Sequence, residues 1–428
     1  MQIIRYPERS TWPEILKRPV DDSSEMEAKI KLVLSDIQTR GDEAVRRYTQ
    51  QFDGAELSDF RVSPQEIQQA AAAIDDDLKA AIETARANIE SFHRSQISQE
   101  AVVETMPGVR CWRRSVPVES VGLYIPGGTS PLFSTVLMLG VPAEIAGCQT
   151  VVLCTPPDKN GNVHPAILYT ANLVGITQIF KIGGAQAIAA LAYGTETVPK
   201  VHKIFGPGNQ YVVAAKQLVS KDGIAIDLPA GPSEVAVIAD ASADPDFVAA
   251  DLLSQAEHGP DSQVLLATDG DGFLESVQSA VTRQLAALPR RDIAAAALAN
   301  SKLVLVKSTE EALTLINAYA PEHLIIMTEK ADDLAAKVTN AGSVFLGKFS
   351  PESAGDYASG TNHTLPTNGY AAAYSGVSLD SFVKKITFQQ ISKSGLQQIG
   401  PAVEAMAAAE GLDAHKEAVS IRLRKTGL

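Results

Sequence analysis

Apolar residues along this chain change their spacing near residue 118, and the two spacings predict different kinds of structure. Before that point, residues 24–52 and 64–95 carry apolar side chains at helical intervals. The second segment opens with Ser63-Pro64, a capping residue followed by the proline favoured at the first helical position. From Val118 onward, short β-branched runs alternate with helical segments, which is typical of parallel βαβ units. The pattern therefore predicts N-terminal helices followed by parallel α/β structure.

The α/β part of the pattern falls into two consecutive series. Their predicted strands are 118–125, 150–155, 178–182 and 203–205 in the first series, and 234–239, 262–268, 302–306, 323–327 and 343–346 in the second. Two such series predict an α/β fold with two doubly wound, Rossmann-like parallel-sheet domains side by side. The last residues, 378–428, form a predicted C-terminal helical tail. A ligand is expected in the cleft between the domains, at the carboxyl ends of the strands.

Composition and charge narrow the class of protein. The chain has 428 residues, which is too long for one ordinary core, and no run approaches the 18 apolar residues of a transmembrane helix. A net charge of −13 argues against nucleic acid or an anionic membrane as a partner. The charged N-terminus lacks the apolar core of a signal peptide, and three cysteines fit a reducing compartment. We therefore expect a cytoplasmic protein that acts on a small molecule.

Histidines paired with carboxylates are the strongest candidates for chemistry. Four of the seven histidines follow a carboxylate closely in the sequence: Glu257-His258, Glu322-His323, Asp356 with His363, and Glu410 with His415. Histidine titrates near neutral pH and is the commonest metal ligand, and a carboxylate beside it can share the metal, orient the ring or act as a base. Any one of these pairs could be structural. Four together predict a single site.

The local positions of these residues favour a metal and a base. A helix predicted over 245–257 places Gln255 and His258 three residues apart at its end, on one face, although composition alone would nominate only His258 as a ligand. Glu322 and His323 can serve one site only if they lie in a turn, because consecutive strand residues point to opposite faces. The polar, glycine-rich loop that contains Asp356 supplies a carboxylate oxygen, and zinc accepts nitrogen and carboxylate oxygen together.

Glycine-rich turns and cysteines leave alternatives open. Turns follow three predicted strands: Ile125-Pro126-Gly127-Gly128, Ile182-Gly183-Gly184-Ala185-Gln186 and Phe205-Gly206-Pro207-Gly208-Asn209. Such turns let backbone N–H groups approach a phosphate, but none spells G-x-G-x-x-G, so they could equally be plain corners. A cysteine nucleophile would suggest chemistry like that of aldehyde dehydrogenases. Cys148 and Cys154, however, flank a predicted buried strand, and Cys111 lies apart from every histidine motif, which favours structural thiols.

Taken together, these motifs resemble the histidinol dehydrogenase family over nearly the whole chain. The signatures occur in order: Gly122-Leu123-Tyr124-Ile125-Pro126-Gly127-Gly128, Gly206-Pro207-Gly208-Asn209, Pro229-Ala230-Gly231-Pro232-Ser233-Glu234, Gln255-Ala256-Glu257-His258-Gly259, Pro321-Glu322-His323-Leu324, Gly355-Asp356-Tyr357 and Glu410-Gly411-Leu412-Asp413-Ala414-His415. The resemblance implies a zinc- and NAD-dependent homodimer. Its members oxidise L-histidinol through L-histidinal to L-histidine in the last steps of histidine biosynthesis.

The resemblance also implies a role for individual residues. The zinc ligands would be Gln255, His258, Asp356 and His415, and the catalytic pair would be Glu322 and His323. The substrate would contact those ligands and His323, together with Ser233 and Glu410, whereas NAD would contact Tyr124, Gln186 and Asn209. The C-terminal tail would reach into the active site of the neighbouring subunit. His363 is left without a direct role.

These roles give predicted domain boundaries and two competing functions. We expect an N-terminal arm over 1–23, a catalytic α/β domain over 24–120 and 235–377, an NAD-binding domain over 121–234, and the tail over 378–428. One alternative is a zinc-dependent hydrolase, because the same side chains could activate water. The other is a nucleotide-binding or structural α/β protein with incidental histidines. Binding of NAD would exclude the hydrolase, and a bound metal would exclude the second alternative.

Overall fold

The computed structural model describes residues 1–19, 24–127 and 130–425. Gly128 of the first predicted glycine turn and the end of the predicted N-terminal arm lie outside these residues. The strands span Gln2–Arg5 (β1), Val103–Met106 (β2), Val109–Pro117 (β3), Ser120–Tyr124 (β4), Thr150–Thr155 (β5), Gln178–Lys181 (β6), Lys203–Phe205 (β7), Ala225–Ile226 (β8), Glu234–Ala239 (β9), Gln263–Thr268 (β10), Lys302–Leu305 (β11), His323–Met327 (β12), Ser343–Leu346 (β13) and Val383–Ile391 (β14).

The α-helices connect and cover these strands. They span Trp12–Ile15 (α1), Ser24–Arg40 (α2), Asp42–Asp53 (α3), Pro64–Ala70 (α4), Asp76–Arg94 (α5), Phe133–Ala146 (α6), Pro165–Leu173 (α7), Gly184–Tyr193 (α8), Gln210–Lys221 (α9), Pro245–Ala256 (α10), Asp271–Leu285 (α11), Arg291–Ala299 (α12), Thr309–Tyr319 (α13), Ala331–Ala335 (α14), Glu352–Tyr357 (α15), Lys393–Ala409 (α16) and Asp413–Lys425 (α17). In the described part of the chain, no helix has both the length and the apolar character needed to cross a bilayer.

Two parallel sheets carry the fold, as the alternating pattern predicts. The five-stranded sheet has the order β6-β5-β4-β7-β8, and the six-stranded sheet has the order β1-β11-β10-β9-β12-β13. All of their strand pairs are parallel. Apart from the edge strand β1, both sheets place the first strand of their series in the middle, with the next two strands on one side and the last two on the other. This doubly wound order confirms the predicted α/β fold.

Each sheet is covered on both faces, so its strands read as nearly continuous apolar runs. In β4 and the residue after it, Leu123 and Ile125 pack into the cluster that contains α5, α6 and α7, whereas Tyr124 points into the opposite cluster with α2, α3, α8 and α9. The six-stranded sheet is divided in the same way between two further clusters. The N-terminal helices α2 to α5 therefore pack against helices of the five-stranded sheet. The predicted domain boundaries themselves stay a prediction.

Three local expectations from the pattern are wrong in detail. The single helices expected over 24–52 and 64–95 are each divided in two, the first at Gly41 with a φ of 54° and the second before Asp75, whose side chain caps α5. Glycine adopts such positive φ values at little cost, which explains the first break. The C-terminal tail contains the strand β14 as well as its helices.

Residues 97–117 and 383–428 form a second compact unit, and the remaining described residues form the first. In the second unit, β14, β3 and β2 make an antiparallel sheet, and α16 packs against α17. Trp112 stacks on Phe388 across the sheet, with ring centroids 5.5 Å apart. The side chains of Ile386, Met406 and Leu412 are exposed in this unit.

Candidate active site

Buried charged side chains gather at the amino edge of the six-stranded sheet. Glu234 is the first residue of β9, and His323 is the first residue of β12 next to it, directly after Glu322. All three side chains are almost completely buried. Ser233 immediately precedes β9 and belongs to the same edge. In this sheet the candidate side chains therefore lie at the amino edge and not at the carboxyl ends, because α10 returns from β9 and delivers its last residues to the opposite edge.

The imidazole of His323 is anchored on one side and without a partner on the other. Its Nδ1 lies 3.1 Å from the carbonyl oxygen of Glu234, which fixes Nδ1 as the hydrogen-bond donor. Its Nε2 is buried without a hydrogen-bond partner in the described structure, 3.5 Å from Asp356 Oδ1. Burial alone would lower the pKa of His323, but the carboxylates of Glu352, Glu322 and Asp356 hold it well above its ordinary value.

Glu322 lies beside this ring, and its carboxyl group is held by backbone. Glu322 Oε2 accepts a hydrogen bond of 2.9 Å from the N–H of Glu234 and lies 3.7 Å from His323 Nδ1. The two neighbouring residues thus serve one site, with Glu322 in the turn and His323 at the start of the strand. Burial raises the pKa of Glu322 to about 8, against the charge of His323. A carboxyl group with such a pKa can hold or release a proton near neutral pH.

Arg18 neutralises the third buried carboxylate of this edge. Its guanidinium forms an ion pair with Glu234, with Nη2 at 2.9 Å from Oε2, and lies 4.1 Å from the centroid of the Tyr319 ring. Burial still raises the pKa of Glu234, and Arg18 acts in the opposite direction. The N–H of Asn368 also donates to Glu234, at 3.0 Å. Glu234 therefore positions its neighbours, and its own charge is compensated.

Gln255 and Glu352 connect helix α10 to helix α15. With its amide nitrogen assigned to the side facing Glu352, Gln255 donates to Glu352 Oε1 at 2.8 Å and accepts from the N–H of Glu234 at 3.1 Å. Both side chains are buried, and Glu352 Oε2 has no partner in the described structure. Burial raises the pKa of Glu352 to about 8 and that of the neighbouring Asp251 to about 7.

Asp356 is the carboxylate that keeps its charge. Burial opposes ionisation, but His323, together with His363 and His258, lowers the pKa of Asp356 below its ordinary value. His258 is exposed at the rim, and the pKa of its ring is lowered by partial desolvation while Asp356 raises it. His363 lies between Asp356 and Thr135 in α6: its Nδ1 is 2.8 Å from the Asp356 carbonyl oxygen and its Nε2 3.0 Å from Thr135 Oγ1. His363 therefore links this edge to the five-stranded sheet's side of the cleft.

The donor atoms at this edge fit a divalent cation. One donor atom from each of His323, Glu352 and Asp356 lies within 4.8 Å of the other two. Two of the three side chains have a buried atom without a partner, His323 Nε2 and Glu352 Oε2, and such atoms are expected beside an ion or a substrate. One nitrogen and two carboxylate oxygens suit zinc. Of the four ligands that the resemblance implies, Asp356 belongs to this trio, Gln255 contacts Glu352, and His258 lies close enough to Asp356 for their charges to interact.

The three predicted NAD contacts lie at the carboxyl edge of the five-stranded sheet. Tyr124 ends β4, and its hydroxyl accepts a hydrogen bond of 3.1 Å from the N–H of Gly184. Gln186 is fully buried in the first turn of α8. Asn209 caps α9 and is exposed, with its Oδ1 accepting from the N–H groups of Tyr211 and Val212. This edge is where a doubly wound sheet binds its ligand.

A buried ion pair fixes the turn that leads to Asn209. Gly206 has a φ of 126°, and any Cβ there would collide with the carbonyl oxygen of Tyr124, so only glycine fits. Lys216 Nζ donates to the Gly206 oxygen at 2.8 Å, and Asp227 Oδ2 accepts from the Gly206 N–H at 2.8 Å. Lys216 and Asp227 also pair with each other at 2.5 Å. The turn is therefore held from both sides.

The remaining predicted residues belong to the second unit. Glu410 follows α16, His415 lies in the first turn of α17, and both are exposed. Their predicted contacts with substrate and zinc stay predictions.

Sequence reasoning missed three charged residues of the site: Arg18, Asp251 and Glu352. Glu352 had a detectable signal, because it stands four residues before Asp356 and therefore on the same helical face. Asp251 likewise stands four residues before Gln255 in α10. Arg18 had no such signal, since its contact with Glu234 joins residues 216 positions apart.

Comparison with known proteins gives one consistent result. The family model described as histidinol dehydrogenase matches residues 16–423. A histidinol dehydrogenase of Bacteroides thetaiotaomicron is 63% identical over 423 residues, which cover 99% of each chain. One from Salmonella typhimurium is 55% identical over 412 residues, covering 96% of this chain and 94% of that protein. The crystal structure of histidinol dehydrogenase from Elizabethkingia anophelis matches with a TM-score of 0.98 and 56% identity, covering 100% of this chain and 99% of that one.

Proposed function

Because the chain belongs to the histidinol dehydrogenase family, a family of NAD-dependent oxidoreductases, we propose that it oxidises L-histidinol to L-histidine through L-histidinal. Each of the two steps transfers a hydride to NAD. The observation that carries the proposal is the state of His323, whose Nδ1 is anchored on the Glu234 carbonyl while its buried Nε2 is free to exchange a proton.

In the first step His323 is the base. Oxidation of the alcohol removes its hydroxyl proton and transfers a hydride from the same carbon to NAD, giving the aldehyde and NADH. His323 Nε2 takes the hydroxyl proton, and its Nδ1–H bond to Glu234 keeps the ring oriented. The neighbouring carboxylates raise the pKa of His323 and so favour the protonated ring. Their negative charge must be compensated before the ring can lose that proton and act as a base. A bound zinc ion would supply that positive charge and polarise the substrate oxygen.

In the second step Glu322 is the base. An aldehyde has no hydroxyl proton to lose, so it must first add water to form a hydrate, whose oxidation gives the carboxylic acid. Glu322 is fixed by the Glu234 N–H and has a pKa near 8, which suits it to taking a proton from that water. The two adjacent residues thereby divide the two kinds of proton transfer between them.

We assign the metal to Gln255, His258 and Asp356, completed by His415. Two observations support this assignment: Asp356 remains ionised, and His258 lies close enough to Asp356 for their charges to interact. Substrate would contact these ligands together with His323, Ser233 and Glu410. His415 and Glu410 are exposed side chains of the second unit. We propose that they enter the site of a partner subunit in a homodimer, which the exposed apolar side chains of that unit would stabilise.

On the cofactor side, we assign Tyr124, Gln186 and Asn209 to NAD. Their turns lie at the carboxyl edge of a doubly wound sheet, where backbone N–H groups at the starts of α8 and α9 can face a phosphate. The free thiols fit a reducing cytoplasm.

Formation of NADH tests the proposal directly. The protein should convert NAD to NADH with L-histidinol, produce two NADH per L-histidine, and lose this activity when a chelator removes the metal. A zinc-dependent hydrolase would release no NADH from any substrate. His258→Asn should remove bound zinc and activity together, whereas the control His164→Asn, at a helix cap, should keep both. Full activity with stoichiometric zinc in His258→Asn would overturn the metal assignment.

A further inference from the structure

Asp53 brings a carboxylate to the glycine turn of the five-stranded sheet. It is the last residue of α3, and the next residue, Gly54, has a left-handed φ of 69° that ends the helix. The Asp53 carboxylate accepts a hydrogen bond of 3.1 Å from Gln186 Nε2 and another from the N–H of Gly183. Asp53 is half-buried, so part of its carboxylate is open to a ligand. A residue from an N-terminal helix thus reaches the edge predicted to bind NAD.

Beside Asp53, a hydrogen-bond acceptor is left without a donor. Gln186 is fully buried, and its Oε1 has no partner in the described structure because its Nε2 is directed at Asp53. An acceptor left without a donor in the protein interior is unfavourable, and a donor supplied by a ligand would remove that cost. The site therefore favours a ligand that supplies O–H or N–H groups as hydrogen-bond donors.

The charge at this position argues against a phosphate. Within residues 1–19, 24–127 and 130–425, no lysine, arginine or histidine lies within ion-pair distance of the Asp53 carboxylate. A half-buried carboxylate without a cation beside it would repel a phosphate oxygen and attract the hydroxyls of a ribose. In the usual dinucleotide fold an acidic residue about 20 positions after the glycine turn has this role. This chain lacks that fingerprint, and Asp53 stands more than a hundred residues before its turn.

The two faces of the sheet indicate which half of the cofactor Asp53 serves. Asp53 belongs to α3, which packs on α8 in the cluster on one face. The catalytic edge contacts this half of the molecule through Thr135 of α6, and α6 lies in the cluster on the other face. The nicotinamide must reach His323 for hydride transfer, so the half near Asp53 is the adenosine half.

We propose that the Asp53 carboxylate, held by Gln186 and Gly183, binds the ribose hydroxyls of the adenosine half of NAD and excludes NADP. The inference rests on the proposed NAD-dependent function and names the residue that determines cofactor choice. NADP carries a phosphate on the adenosine ribose 2′-oxygen, which would meet the carboxylate directly.

Cofactor analogues separate this contact from a merely structural role. In Asp53→Asn we expect the dissociation constant of NAD, measured by fluorescence titration without histidinol, and the KM for NAD both to rise about tenfold to a hundredfold. This is the range for losing a hydrogen bond to a charged group, and kcat and the KM for histidinol should change little. Replacing NAD by its analogue lacking the adenosine 2′-hydroxyl should raise the cofactor KM of the wild type by a similar factor. The same replacement should hardly change the cofactor KM of Asp53→Asn. The preference for NAD over NADP should fall in the variant.

Controls make either outcome decisive. Glu43→Gln removes a carboxylate charge from an exposed position of the same helix and should leave every KM unchanged. Asp53→Ser is measured beside Asp53→Asn, so that the result does not depend on the folding of one variant. If the wild type forms no NADH, the proposed function fails. The assignment of Asp53 is overturned if the wild type is active but the variants keep its KM for NAD. It is also overturned if the variants raise the KM for NAD and the KM for the deoxy analogue by the same factor.

Discussion

The buried pair of Lys216 and Asp227 connects stability to cofactor binding, and its removal has a predictable size. The side chains are 4% and 0% exposed, and Lys216→Met would leave Asp227 as an unpaired charge in the protein interior. Breaking such a pair from one side costs about 3–5 kcal/mol of the free energy of unfolding. Because both side chains also hold Gly206, the turn before Asn209 should loosen, and the KM for NAD should rise.

A double variant tests the physical reason for this loss. Lys216→Met with Asp227→Asn removes both charges but keeps an acceptor for the Gly206 N–H. It should therefore be more stable than Lys216→Met alone, as measured by urea unfolding. The exposed pair of Arg283 and Asp246 is the matched control, and Arg283→Met should cost less than about 1 kcal/mol. A double variant no more stable than the single one would refute the argument, because the loss would then not come from an unpaired buried charge.

Four further predictions concern the chemistry and the assembly. Glu322→Gln should slow the oxidation of supplied L-histidinal more than the first hydride transfer, and His323→Asn should slow both; equal losses for Glu322→Gln would contradict the division of roles. Joint replacement of Cys111, Cys148 and Cys154 by serine should cost stability but keep most turnover, since burial raises the pKa of the Cys148 thiol to about 11 and that of Cys154 further still; a folded but inactive triple variant would refute this. Subunit exchange between His415→Asn and His323→Asn should restore about a quarter of wild-type activity if the tail crosses between subunits, and none if it does not. The metal-free protein should lose stability as the pH rises from about 5 to 8, because Glu322 and Glu352 hold protons in the folded state up to about pH 8 but release them near 4.5, the ordinary pKa of this side chain, when unfolded; urea unfolding that is flat or stabilising over this range would count against it.

Much of the fold could be predicted because it depends on local patterns. Nine strands of the two parallel sheets are apolar runs bounded by turn residues, and the structure has them within a few residues of the predicted limits. The edge strands β1 and β8 were not predicted. The break at Gly41 was missed because one glycine inside a helical pattern is ambiguous. The strand β14 was missed because its burial alternates only weakly, and it pairs with β3, which is far away in sequence.

The candidate site was predictable only where its residues form short motifs. Glu322-His323 and Gln255 with His258 stand in such motifs, so they could be named from the sequence. Arg18, Asp53 and Glu352 contribute through contacts between distant segments, and a carboxylate at a helix end usually indicates only a solvated position. In the structure, Glu352 differs from an ordinary surface carboxylate by its burial, and Asp53 differs by the unpaired oxygen of Gln186 beside it.

The polarity of parallel α/β structure explains why the two sheets use opposite edges. Helices that follow parallel strands start at the carboxyl edge and end at the amino edge, so free N–H groups gather at one edge and free carbonyl groups at the other. The five-stranded sheet presents its carboxyl edge, where the starts of α8 and α9 can face the anionic part of a dinucleotide. The six-stranded sheet presents its amino edge, where the end of α10 delivers Gln255 and His258 beside buried carboxylates. Partial negative charge there favours a cation, whether zinc or a protonated imidazole. The same strand order can thus provide an anion site in one half and a cation site in the other, and the proposed oxidation of an alcohol by NAD would use both.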